Sequence, residues 1–300
     1  MIPFIYSDQY VVDIGNHVFP VEKYRLIRDR LKKIYPELAI LEPSLPSEED
    51  LLRIHTPTYL DDLRSLRWTE GTLRSELPIT HEIVNAYILG AGGTILTCEM
   101  AFEKGIALHI GGGFHHAFSD HAEGFCYIND VAVGIYRMQK MNRIKRAVVI
   151  DCDLHQGNGT AKIFSRDPTV FTFSIHQENL YPMKEESDLD ISLPDFTGDE
   201  VYLEHLRGVI PGILDRHRPD FVIYLAGADP YEKDQLGSLR LTQEGLRLRD
   251  EFVLKECRER GIPVGITLAG GYALDTRDTI EIHLNTCLVA MQVKNEDGNR

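Results

Sequence analysis

Two histidines, His115 and His116, stand side by side in "HIGGGFHHAFSDH" (residues 109–121), directly after three glycines. Neighbouring side chains diverge by about 100° on a helix and point to opposite faces of a strand, so packing alone does not call for adjacent imidazoles. Three other stretches carry groups that could work with them. "DCDLHQGNG" (151–159) holds Asp151, Asp153 and His155; "GADPYE" (227–232) holds Asp229; "AGGY" (269–272) ends on Tyr272. Asp153 and His155 are two apart, so in extended backbone both side chains leave on one side and can chelate one cation. Asp229, from a distant segment, completes a set of one imidazole and two carboxylates. That set leaves a coordination position open, as catalytic metal sites do. Zinc suits it, and ferrous iron accepts the same N/O donors. Two carboxylates neutralise the ion and weaken its pull on a bound water's proton, so a base has to stand nearby. The histidine pair is the candidate.

These groups need a frame that brings them together. Short, almost continuously apolar runs at 105–110, 146–151, 169–175, 221–226 and 263–269 read as strands covered on both faces, hence parallel. Four of the five run straight into the stretches above, and the run at 169–175 leads to His176. Helical patterns lie between them, at 80–102 and 128–141 and after Thr197, Thr242 and Asp275. Pro211 should kink or break the third. Strand–helix alternation without a linker predicts a single α/β domain over 1–292, three layers with a mostly parallel central sheet, and a polar tail at 293–300. In such sheets ligands bind beyond the carboxyl ends of the strands, which is where the ionisable residues collect. His17, His55, His81, His109 and His176 read as structural or rim histidines.

Composition narrows the partners. A formal net charge of −14 over 300 residues argues against nucleic acid and is compatible with cationic substrates. Five cysteines without CxxC spacing read as reduced thiols in a cytoplasmic setting. The N-terminus has no signal-peptide pattern, and apolar runs such as "FVIYLAGA" stop short of the roughly 20 residues of a membrane helix. Oligomeric state has no signature in the chain.

Taken in order, "HTPTYL", "GGGFHHAFSDHAEGFCYINDVAVG", "DCDLHQGNGTAKIF", "GADPYEKDQLGSLRLT" and "LAGGY" resemble the metal-dependent histone deacetylase family of the arginase–deacetylase superfamily, across almost the whole chain. "HQGNG" and "DLDISLPDFTGDEVYL" resemble the class IV branch and its bacterial relatives most. The resemblance implies the arginase–deacetylase fold and removal of an acyl group from acyl-lysine. It implies zinc on Asp153, His155 and Asp229, with His116 as general base and then acid. His115 would assist electrostatically, hydrogen-bonded to Asp151, and Tyr272 would donate its phenol to the substrate carbonyl. Gly124, Phe125, Tyr181 and Leu236 would line an acyl-lysine tunnel. A structural potassium would lie near Asp151, Asp153, His155 and Ser174, and a second near Phe164, Asp167 and Val170. Some family members place Asp where this chain has Asn158 as partner of the second histidine. An uncharged partner orients the imidazole without raising its pKa, so His116 is expected to titrate near neutrality.

Three rival readings share these residues. An acetylpolyamine or other small-amide hydrolase would use the same site on another acylated amine. A binuclear manganese ureohydrolase needs further carboxylates, but Gly157 stands two after His155, and Pro230 and Tyr231 follow Asp229. A non-catalytic acyl-lysine binder would have no use for the complete set of ligands, histidines and Tyr272.

Overall fold

The computed structural model describes residues 2–296. Eight strands form one sheet: β1 Phe4–Ile5, β2 Ile40–Leu41, β3 Ile106–His109, β4 Ala147–Asp151, β5 Val170–Gln177, β6 Leu189–Leu193, β7 Phe221–Leu225 and β8 Val264–Thr267. Their order is β2-β1-β3-β8-β7-β4-β5-β6, and every pairing is parallel. The helices are α1 Lys23–Ile34, α2 Glu48–Leu52, α3 Pro57–Arg64, α4 Glu70–Leu73, α5 His81–Lys104, α6 Asp130–Lys140, α7 Asn158–Phe164, α8 Asp199–His217, α9 Gln243–Glu259 and α10 Thr276–Asn295. Helices cover both faces of the sheet, giving the three layers expected of the arginase–deacetylase fold.

The five strands expected from apolar runs form, and each is buried nearly throughout. Three others carried no such signal. β1 and β2 have two residues each, and β6 is an edge strand whose residues are mostly half-buried. Helix starts follow their caps: Thr80, Asn129, Thr242 and Asp275 each accept a backbone N–H from the first turn.

Two expectations are corrected. Of the kink or break expected at Pro211, the break does not occur: α8 runs through it to His217. The missing N–H deprives only the Arg207 carbonyl, and Arg207 is exposed, so solvent can take its place. The polar tail does not begin at 293: α10 continues to Asn295, because Val293 is fully buried and its carbonyl accepts from Arg258 at 2.9 Å. Residues 297–300 of that expected tail lie outside the described residues. By length and composition α5 could span a bilayer, the one such helix among the described residues. Here it is a core helix, with 78% of its most apolar window buried inside the protein.

The four strands that lead into the candidate residues, β3, β8, β7 and β4, are consecutive neighbours in the middle of the sheet. Their register aligns His109 with Thr267, Thr267 with Leu225, and Leu225 with Asp151. Four chain segments therefore leave the sheet along one row, at one height, on one edge.

Candidate active site

Beyond that row, Asp153, His155 and Asp229 converge. All three are buried, and one ligand atom from each lies within 4.8 Å of the others. Among the described residues this is the one group of His, Cys, Asp and Glu so arranged. His155 Nδ1 sits 3.3 Å from both Asp153 Oδ1 and Asp229 Oδ2. Backbone donors aim the carboxylates: Gly270 N–H donates to Asp153 Oδ2 at 2.8 Å, and Leu154 N–H to Asp229 Oδ1 at 3.0 Å. Asp229 Oδ2 is left buried with no hydrogen-bond partner, an orphan that a cation would satisfy. The electrostatics agree. Burial opposes charge on His155, yet the two carboxylates overcome it and lift the imidazole to about 10. Burial, then the charge of Asp153, raises Asp229 to about 6. The cavity is built for positive charge, and the donor set fits a divalent ion. Glycine makes the approach possible: a Cβ on Gly227 would lie 2.7 Å from carboxylate oxygens of both Asp153 and Asp229.

The histidine pair faces this cluster. His115 Nδ1 is 2.7 Å from Asp151 Oδ2, and the two Nε2 atoms of His115 and His116 are 3.1 Å apart. Burial opposes charge on His115, but Asp151 and Asp153 hold it up at about 9. His116 Nδ1 meets Asn158 Oδ1 at 2.8 Å. His116 does not stay near neutrality as expected. Burial, followed by the charges of His115 and His155, pushes it well below the ordinary imidazole value and keeps it neutral.

Tyr272 lines the same cavity as His115, His116, Asp153 and His155, together with Gly124 and Phe125. Its backbone is clamped: its N–H donates to Asp234 Oδ2 at 2.7 Å, and its carbonyl accepts from Gln235 N–H at 3.2 Å. A mouth of about 280 Å³ leads in, lined by Phe125, Leu180, Tyr181, Leu236 and Tyr272 and reaching His116 and His155. The Tyr181 ring stands edge-on to His116 at 5.5 Å between centroids. His17, read as structural, packs edge-on against Phe125 at 4.6 Å. His176 is not at the rim; it is buried between Ser174 (3.0 Å) and Ser192 (3.4 Å).

Of the residues expected around monovalent cations, Ser174 pairs in register with Asp151 on the neighbouring strand. Phe164, Asp167 and Val170 form the turn after α7, with Asp167 N–H donating to the Phe164 carbonyl and Val170 N–H to that of Asp167.

Several contributors escaped the sequence reading. Arg249, fully buried, donates to the Cys152 carbonyl at 3.1 Å and to the Gly227 carbonyl at 2.7 Å, holding both ligand loops. Lys23, fully buried at the start of α1, donates to the Ala269 carbonyl at 2.8 Å. Asp130 accepts from Gly113 and Phe114 N–H at 3.0 and 2.7 Å and so fixes the loop ahead of the histidines. Glu123 accepts from Asn158 Nδ2 at 2.8 Å. In the chain these are ordinary charged residues on helices and loops; only their distant partners mark them.

The chain as a whole is similar to known proteins. The family described as Histone deacetylase domain matches residues 17–287. An uncharacterized protein of Picosynechococcus sp. is 39% identical over 94% of this chain and 95% of its own. Histone deacetylase 2 of Arabidopsis thaliana is 31% identical over 90% of this chain and 74% of its own. A probable deacetylase of Methanothermobacter thermautotrophicus is 31% identical over 89% and 85%.

Proposed function

Because the chain belongs to the histone deacetylase family, we propose that this hydrolase of deacetylase type cleaves the amide of an acylated lysine, with water as the second substrate. One observation carries the reading: four adjacent strand ends deliver the Asp153–His155–Asp229 cluster, the histidine pair and Tyr272 to one cavity behind an aromatic mouth. We assign zinc to the cluster, with ferrous iron the other occupant its donors accept, and potassium to the surroundings of Asp151, Asp153, His155 and Ser174 and to the turn of Phe164, Asp167 and Val170. A bound divalent cation supplies Lewis acidity to the amide carbonyl and its attacking water.

The chain's own groups do the rest. Neutral His116 takes the water's proton on Nε2 and later returns a proton to the leaving amine. His115, held charged by Asp151, keeps positive potential beside the oxygen on which negative charge develops. Tyr272 donates its phenol to that same oxygen. Phe125, Tyr181 and Leu236 surround the lysine stem, whose burial contributes about 0.8 kcal/mol per methylene.

Depth speaks for a short acyl group. The apolar chamber behind the site, bounded by Phe19, Tyr24, Gly112 and Phe114, has a cavity volume of only about 20 Å³, roughly room for one water molecule. Five free, buried cysteines support a cytoplasmic setting, and the net charge of −14 speaks against nucleic acid as a partner. An acylated polyamine presents the same amide on an apolar stem and is the second reading. The test is a hydrolysis screen of zinc-loaded protein on lysine peptides and polyamines, each across a series of acyl lengths. Turnover fastest on acetyl-lysine peptides is expected. Turnover of polyamines alone selects the second reading, and binding without turnover makes the protein an acyl-lysine binder.

A further inference from the structure

The uncharged residue beside His116 has a charged one behind it. His116 Nδ1 lies 2.8 Å from Asn158 Oδ1, and Asn158 Nδ2 donates to Glu123 Oε1 at 2.8 Å. The amide is buried, and its remaining donor approaches the Met183 carbonyl at 3.4 Å. We propose that Glu123 is a positioning residue which, through Asn158, locks His116 as the tautomer with its hydrogen on Nδ1 and its lone pair on Nε2. The proposal rests on the reading of His116 as the base of an amide hydrolase.

The argument is one of donor and acceptor bookkeeping. An asparagine amide can turn through 180° and exchange its oxygen and nitrogen with little change in shape. With oxygen toward His116, Nδ1 must carry the hydrogen and Nε2 keeps its lone pair, 3.1 Å from His115 Nε2 and able to take a proton from water. With nitrogen toward His116, Nδ1 must accept, the hydrogen moves to Nε2, and the base is disabled at the atom facing the site. An ionised carboxylate only accepts hydrogen bonds, so it permits only the first orientation. Glu123 remains ionised: burial opposes its charge, but His121, Asn158 and Arg74 outweigh burial and hold its carboxyl below the ordinary value. The nearest cationic groups are His121 at 3.7 Å and Arg74 at 4.0 Å. The relay thus transmits the direction of a carboxylate without setting a full negative charge against the base.

The test uses Glu123→Ala and Glu123→Gln, each alone and with Asn158→Asp. Steady-state kinetics on zinc-loaded protein are read beside two-bond ¹H–¹⁵N correlation of the His116 ring, assigned by its loss in His116→Ala. In the parent, His116 should report hydrogen on Nδ1. Glu123→Ala should mix the tautomers and lower kcat by about 10–100-fold, the usual loss for an orienting partner, with KM nearly unchanged. Glu123→Gln, which keeps the shape but can accept or donate, should fall between, and serves if the alanine variant fails to fold. In the Asn158→Asp background, where a carboxylate accepts from Nδ1 by either oxygen, removing Glu123 should cost nothing and relieves repulsion. An equal loss in both backgrounds, or a single Nδ1–H tautomer in every variant, overturns the proposal. If the parent hydrolyses no acylated amine, the hydrolase reading falls, while the ring spectrum still decides the tautomer lock.

Discussion

Asp229 Oδ1 accepts the backbone N–H of Leu154 at 3.0 Å, so the ligand supplied by β7 also pins the loop that carries the other two. Its second oxygen is the one left buried without a partner. One carboxylate thereby links the shape of the site to its charge.

Asp229→Asn separates these roles, since the amide oxygen can still accept from Leu154 while the charge is lost. Zinc affinity, measured by chelator competition, is expected to fall by more than about 100-fold, beyond the usual loss for a residue that only orients a ligand. Hydrolysis should vanish with it. Chelation of the parent protein should abolish hydrolysis too, and added zinc should restore it.

Arg249 reaches under both ligand loops and has Asp250 at 2.8 Å as its counter-charge. Arg249→Met strands a buried carboxylate and should cost about 3–5 kcal/mol in urea unfolding of the metal-free protein. Adding Asp250→Asn should return much of that stability. Zinc affinity should stay about 10–100-fold down in both variants, because neither restores the clamp on the Cys152 and Gly227 carbonyls.

Tyr272→Phe removes a donor and leaves the ring that packs at 5.8 Å from Phe125. kcat should fall by about 10²–10³-fold, as for loss of one oxyanion donor. KM and zinc affinity should barely move. A KM effect larger than the kcat effect would place the phenol in ground-state binding.

Acid should destabilise the fold through His55, whose Nε2 accepts the Asn129 N–H at 3.1 Å. Burial pushes this imidazole down to about 4, whereas in the unfolded chain it titrates near 6.5. As pH falls, the unfolded state takes up the proton first. The stability due to neutral His55 is therefore complete above about pH 6.5 and is lost progressively toward pH 4, by about 3 kcal/mol. Urea midpoints of metal-free protein from pH 7 to 4 should fall more gently in His55→Gln. Parallel curves would remove His55 as a cause.

The candidate site was legible in the chain because each of these members follows an apolar run at short range: Asp153 and His155 after 146–151, Asp229 after 221–226, Tyr272 after 263–269. A strand that ends at a fixed residue delivers what comes next, so local order along the chain carried the chemistry. The two-residue strands were not legible, since a stretch such as Phe4–Ile5 has no periodicity and β1 pairs only because β2 and β3 stand beside it. The partners that orient the site were hidden for the same reason. Glu123 and Asn158 are 35 residues apart, and Arg249 and Cys152 are 97 apart; hydrogen bonds over such separations leave no spacing to read. Sequence determined which groups the site contains and that strand ends would present them. Tertiary structure alone decided which strands lie side by side, and hence which carbonyl, amide and carboxylate hold each group in its working orientation. That decision rests on burial of the whole sheet between its helices, a property no single segment possesses.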